Sequence, residues 1–290
     1  MDKKEPILWR ILFVGTLLSS ILAIFDLQNL AIDKGFSLTQ PKWMVILVSI
    51  VVVGILTAFL LFLTLTKSFK KLKASYDAFL RYGERIKWLF LAFFIASLSL
   101  LPLLVLDPYL GRLLGNRLWI KILIFLLLSF ASASFLHVAG VRISGQKKEF
   151  SWAESLAFAA LAQLLIYQLL IASLYITDYP FAIGWTRDSR YYYASLFFAK
   201  EIYGQSLPLP ILHPTLHFIF SLPFLFGKLA IWVHRGWTLL LTFGLSWGVV
   251  RVLSRRIHQR TYALLFSLWA FLFLVQGSIY AHLLIPTLII

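Results

Sequence analysis

Residues Trp43–Thr66 read WMVILVSIVVVGILTAFLLFLTLT, with no charged side chain and no proline. As an α-helix this stretch is about 36 Å long at ~1.5 Å per residue, enough to cross a hydrocarbon layer ~30 Å thick. Lipid offers no hydrogen bonds to a bare backbone, so a segment of this kind is satisfied only as a helix. Reading outward, four more runs of the same character precede residue 180: Ile7–Phe25, Trp88–Leu106, Leu118–Gly140 and Trp152–Ile176. Two or three follow: Leu216–Val233, Trp237–Leu253 and Tyr262–Val275, the first interrupted by prolines and open to a broken or re-entrant form as well as a span. The expectation is an all-α, polytopic transmembrane helical bundle of about 7–9 spans, with one long external loop carrying a short amphipathic helix.

Composition agrees with this reading. Of 290 residues, 60% are hydrophobic and 13% charged, where a soluble domain is nearer half apolar and a quarter charged. The chain has no cysteine, which excludes disulfides, thiolate metal sites and cysteine nucleophiles. The net charge of +15 is read as loop lysines and arginines facing lipid headgroups. Nucleic acid is not an expected partner, because no basic stripe lies in a foldable soluble module.

Basic residues are unequally shared between alternate loops. Twelve lie at the N-terminus, in 67–87 and in 142–148; Lys34, Lys42, Arg112 and Arg117 lie in the loops between. The positive-inside rule then puts the N-terminus in the cytoplasm of a bacterial-type plasma membrane. MDKKEPILWR lacks a following small-x-small cleavage site and reads as a retained signal-anchor. The chain's last residues, YAHLLIPTLII, lack a polar tail, as expected of a fragment of a longer protein. The segment 67–87 spaces Phe69, Leu72, Tyr76, Phe79 and Leu80 helically among basic residues. It fits either a helix on the headgroups or a solvated connector.

The long polar connection is TDYPFAIGWTRDSRYYYASLFFAKEIYGQSLPLPILHPT, Thr177–Thr215. Asp188, flanked by Arg187 and Arg190, follows interface-seeking aromatics. Tyr191–Tyr203 reads as an amphipathic helix, with Asp188 at its N-cap and Gly204 as its left-handed stop. Prolines 208, 210 and 214 then require extended chain. Two roles are open to Asp188. It could cap the helix and pair with Arg187 or Arg190. It could instead accept a proton or hold a divalent cation at the bilayer surface, while Arg187, Arg190 and Lys200 hold phosphate oxygens.

Asp188, Tyr191 or Tyr192, Gly204, Leu207-Pro208 and His213-Pro214 together resemble the first external loop of GT-C superfamily glycosyltransferases, such as protein O-mannosyltransferases and aminoarabinose transferases. The resemblance covers roughly Thr177–Arg235. It departs from the family pattern in having Arg187 and Ser189 beside the carboxylate, where the family pairs two acidic residues. It implies a membrane enzyme moving a sugar from a polyprenyl-phosphate-linked donor to an acceptor at the external membrane face. Asp188 would then be catalytic, with Arg187, Arg190, Tyr191, Tyr192 and His213 contacting substrate. Residues 1–151 become an N-terminal four-helix transmembrane region, and 152–290 the start of a transferase-like core with its external loop at 177–215. The partners expected are the bilayer, the lipid-linked sugar and a membrane protein.

Other polar residues have structural readings. His213 and His217 have a zinc-compatible spacing, but Pro214 intervenes and no third ligand is evident, so no metal site is assigned. Gln163 and Gln168 suit interhelical hydrogen bonds. Lys121 and Glu154 lie close enough to helix ends to snorkel. His234-Arg235 reads as a helix cap or a contact with lipid phosphate. Two other function classes stay open: a transporter or flippase-like protein, for which the proline-interrupted 209–227 is the one hint, and a non-catalytic subunit whose loop docks a partner.

Overall fold

The computed structural model describes residues 5–66, 68–83, 87–107, 111, 114–115, 117–139, 141–143, 146–148, 150–179, 188–211 and 213–276. The chain is predominantly helical and divides into two compact units, Met1–Tyr167 and Gln168–Ile290.

The first unit contains α1 (Glu5–Lys34), α2 (Pro41–Thr64), α3 (Phe69–Gly83), α4 (Lys87–Leu106), α5 (Leu118–Ala139) and the start of α6 (Trp152–Tyr175). A two-stranded antiparallel ribbon, β1 (Val141–Ile143) with β2 (Gln146–Lys148), is the one departure from an all-α chain among the described residues. Trp9 centres one core, with the rings of Phe13, Phe69, Phe130 and Trp152 all within 6.1 Å. The basic connector is thereby explained. Phe69 and Leu80 of α3 are buried in this core, while Phe79 is exposed. A second core joins Ala23, Leu27, Trp43, Ile50 and Leu123.

Helices in lipid gain little from apolar contact with one another, so small polar side chains do part of the joining. Helix α5 supplies three. Ser129 accepts from Gln163 of α6 (3.0 Å), Ser132 bonds Ser97 of α4 (2.5 Å), and Ser134 bonds Tyr76 of α3 (2.6 Å). The start of α5 is held from α1. Asp26 Oδ2 accepts from the backbone N–H groups of Trp119 (2.7 Å) and Ile120 (3.3 Å), and Asp33 pairs with Arg117. Glu154 closes a capping box at the start of α6, accepting from the Ser151 N–H at 2.9 Å while its own N–H reaches the Ser151 hydroxyl at 3.3 Å.

The second unit holds the rest of α6, then α7 (Ser189–Ser195), a 3₁₀ turn (Leu196–Phe198), α8 (Ala199–Tyr203), α9 (Pro214–Ser221), a second 3₁₀ turn (Leu222–Phe226), α10 (Ile231–Ser254) and α11 (Arg260–Gln276). One expectation is corrected and one alternative is selected. Tyr191–Tyr203 is not one helix but three short turns, because Phe198 leaves helical backbone at φ −121°, ψ 33°. Leu216–Val233, open between a span and a broken segment from the sequence, is the broken form. Pro223 starts a 3₁₀ turn, Gly227 (φ 95°) ends it, and a new helix begins at Ile231. Gly204 adopts the left-handed conformation its position demands (φ 73°), its N–H bonding Lys200 O at 3.0 Å.

Five helices among the described residues are long and apolar enough to cross a membrane: Ile7–Lys34, Pro41–Thr64, Leu118–His137, Trp152–Tyr175 and Ile231–Ser254. Leu91–Leu106, Pro214–Phe226 and Arg260–Gln276 are shorter apolar helices.

Candidate functional site

The site lies in the second unit, where α6 ends and α10 begins. Asp178, just past α6, accepts from the Trp232 N–H in the first turn of α10 (3.1 Å). Ten residues on, Asp188 meets Arg235 of α10 in a fork: Nε donates to Oδ1 at 3.1 Å and Nη2 to Oδ2 at 3.0 Å. The Tyr175 hydroxyl also donates to Oδ1, at 3.1 Å, and its ring lies 5.0 Å from the guanidinium carbon. Arg235 Nη1 donates to the Thr177 carbonyl oxygen and lies 3.2 Å from the Thr177 hydroxyl. Asp188 and Arg235 are 8% and 5% exposed, so neither charge relies on water. A buried pair of this kind is favourable only with such complete partnering, and removing one member costs about 3–5 kcal/mol.

This pairing corrects the helix-cap reading of Asp188. The residue stands before Ser189, but its backbone is helical (φ −72°, ψ −22°) and its side chain makes no cap hydrogen bond. A charge-assisted fork from Arg235 is stronger than one neutral amide bond, and it takes the carboxylate. The Asp188 carbonyl oxygen instead accepts from the Tyr191 N–H at 3.0 Å.

The other expected residues are arranged around this pair. Arg190 is half-buried, its guanidinium 5.3 Å from the Phe220 ring. Tyr191 packs on Phe224 (5.3 Å) and His234 (4.8 Å). Burial, then the charge of Tyr203, pushes its phenol above the usual range. Tyr192 is exposed, its ring against Tyr193. His213 is exposed in a left-handed conformation (φ 52°, ψ 51°), the one non-glycine residue with positive φ among those described. A non-glycine residue there costs about 1–2 kcal/mol, and such strain is concentrated at functional positions. Arg187 lies outside the described residues.

Two histidines add to the site. His217 is buried beside the Tyr193 ring, and its Nδ1 has no hydrogen-bond partner. Burial, then the nearby Arg190 and His213, lowers it below its usual 6.5. His234 is 5% exposed, 4.1 Å from the Phe224 ring, and neither ring nitrogen has a partner. A small cavity of about 10 Å³ is lined by Asp188, Arg190, Tyr191, Phe220, His234 and Arg235, with Tyr175, Ile231 and Thr238. It holds about one water-sized group.

The residues present do not suit a divalent cation. Both Asp188 oxygens receive donors, and no group of three or more His, Asp or Glu that could hold a metal occurs among the described residues. The zinc reading of His213 and His217 therefore finds no third ligand there.

Arg235 and Tyr175 are members of the site that residue patterns did not assign to it. A signal for Arg235 exists: an arginine inside an otherwise apolar helix must find a partner or a cavity. The chain matches no family model, no curated protein and no solved structure.

Proposed function

We propose that this chain carries the donor-binding face of an integral-membrane glycosyltransferase of GT-C type, which moves a sugar from a polyprenyl-phosphate-linked donor to an acceptor. The observation that best supports the reading is the buried Asp188–Arg235 pair. It fixes a loop carboxylate at the ends of two membrane-length helices, beside a cavity that also meets Arg190 and His234. Chemistry on a lipid-linked group needs polar machinery at such a boundary and needs no nucleotide fold.

In this reading the sugar's anomeric carbon breaks its bond to the donor phosphate, which leaves with the electron pair. The acceptor oxygen bonds to that carbon and gives up its proton. Arg190, with Arg187, stabilises the departing phosphate. Asp188, oriented by Arg235 and Tyr175, receives the acceptor's hydrogen as general base. Tyr191, Tyr192 and His213 contact the sugar or acceptor.

The membrane arrangement follows the same reading. Lys87–Leu106 and Arg260–Gln276 cross alongside the five longer helices, giving seven spans. Pro214–Phe226, stopped by Gly227, does not cross. With the N-terminus cytoplasmic, 177–215 is external and Arg251, Arg255, Arg256 and Arg260 are cytoplasmic, as the positive-inside rule asks.

The test supplies radiolabelled polyprenyl-phosphate sugars to the full chain in lipid nanodiscs. Wild type moves label to an acceptor, and Asp188→Asn, expressed at a comparable level, does not. An Asn variant as active as wild type removes Asp188 from the chemistry. Wild type that moves no label from any donor in the panel overturns the transferase reading.

A further inference from the structure

Gln163 has more hydrogen-bonding capacity than the first unit uses. Its Nε2 joins α6 to α5 by donating to the Ser129 hydroxyl at 3.0 Å, the interhelical role that a glutamine in a span suits. Its Oε1 is buried and accepts from no group among the described residues, in a side chain whose residue is 1% exposed. An acceptor left unmade in the interior costs free energy, and native proteins rarely carry one.

Gln163 lines a cavity of about 390 Å³ between α4, α5 and α6. Small-molecule sites run from roughly 300 to 1,000 Å³, and an apolar cavity of roughly 150 Å³ already takes benzene. Around the amide the walls are apolar, with Leu101, Val105, Ile122 and Phe125 among them. Leu118 and Leu164 also line the cavity and are 56% and 39% exposed, so it opens at the apolar surface of the first unit.

Depth and hydrogen bonding narrow what fits. Gln163 and Ser129 stand near the middle of two membrane-length helices, α6 and α5. Lys121, the charged residue on the lining, is eight residues or about 12 Å along α5 from Ser129, and its ammonium donates to the Gly115 carbonyl oxygen at 2.9 Å. A charged head could reach Gln163 only by entering the membrane centre, which is costly. The unmet oxygen asks for a donor. A water there needs two to four polar partners, but Ser129 is already engaged by the amide and the wall is apolar. A hydroxyl on an apolar chain needs only the one bond, and its chain suits the wall. We propose that this cavity is a binding site for a neutral lipid alcohol, whose hydroxyl donates to Gln163 Oε1 and whose chain leaves past Leu118 or Leu164. The site is separate from the residues around Asp188 and does not rest on the transferase reading.

The experiment uses the full chain in lipid nanodiscs, with hexadecanol carrying a diazirine on its chain, and the methyl ether of the same molecule. On irradiation, the alcohol is expected to label wild type on peptides that contain Leu101–Val105 or Ile122–Phe125. The ether cannot donate, and should need about fivefold more to reach the same labelling, the worth of one neutral hydrogen bond. Gln163→Leu should take alcohol and ether alike, at the level of the wild-type ether. Val105→Trp, which fills the cavity from α4 and leaves Gln163 in place, should lose labelling by both. Hexadecyl phosphate should compete far less well than unlabelled hexadecanol. Equal labelling of wild type by alcohol and ether overturns the inference and needs no variant to fold. So does labelling confined to other segments, or a Gln163→Leu protein that still prefers the alcohol. Competition by hexadecyl phosphate as strong as that by hexadecanol overturns the assignment to a neutral head.

Discussion

Each unit of this protein has an aspartate–arginine pair near the start of a membrane-length helix, and the two pairs are built for different ends. In the first, Asp33 meets Arg117 just before α5 with the Asp33 side chain 59% exposed. Neighbouring Asp26 caps α5 through two backbone amides. In the second, Asp188 and Arg235 are both buried, joined by a two-bond fork, and line a cavity beside an unpartnered histidine. The first arrangement ends helices. The second joins two side chains to each other and to the Thr177 carbonyl just past α6.

The sharpest break of this contrast comes from removing one partner of the buried pair. Arg235→Leu strands the Asp188 carboxylate and should cost about 3–5 kcal/mol, read as a large loss of thermal stability in detergent. A loss below about 1 kcal/mol would show that Asp188 has ready access to water, and the two pairs would then be alike. Asp26→Ala removes the acceptor for two α5 amides and should cost about 1 kcal/mol, within the usual range for a lost cap. An unchanged melting temperature would mean that water or another group takes over. Asp33→Asn, at an exposed carboxylate whose partner Arg117 is buried, should cost less than Arg235→Leu, read as a smaller fall in melting temperature.

A smaller effect separates the second unit by pH. Burial, Arg190 and His213 hold His217 below 6.5 in the folded chain. As pH falls below about 6.5 the unfolded chain takes up a proton that the folded chain resists, so stability declines until the folded value is passed. His217→Phe should flatten that part of the wild-type curve. Identical slopes for the two proteins between pH 6.5 and 5 would place His217 in contact with water.

The membrane-spanning character was legible because a run such as Trp43–Thr66 admits one solution in lipid. Gly204 was legible for a similar reason, since a glycine closing a short polar helix is a local signal. The partner of Asp188 was not. Arg235 lies 47 residues away, and a partner on another helix leaves no local signal beside the carboxylate. The break of Leu216–Val233 was foreshadowed by Pro223 but fixed by Gly227, whose φ of 95° no apolarity pattern reveals. His234 illustrates the remaining limit. From the sequence it reads as a helix cap or a contact with lipid phosphate, and only the fold shows that neither nitrogen has a partner.

The cap on α5 has a consequence for how the chain is made. Asp26 belongs to the first helix synthesised, while the Trp119 and Ile120 amides it satisfies come about ninety residues later. Because synthesis runs from the N-terminus, the acceptor exists before the amides that need it. The chain carries its own docking mark for a late-arriving segment, and the order of translation becomes part of the folding code.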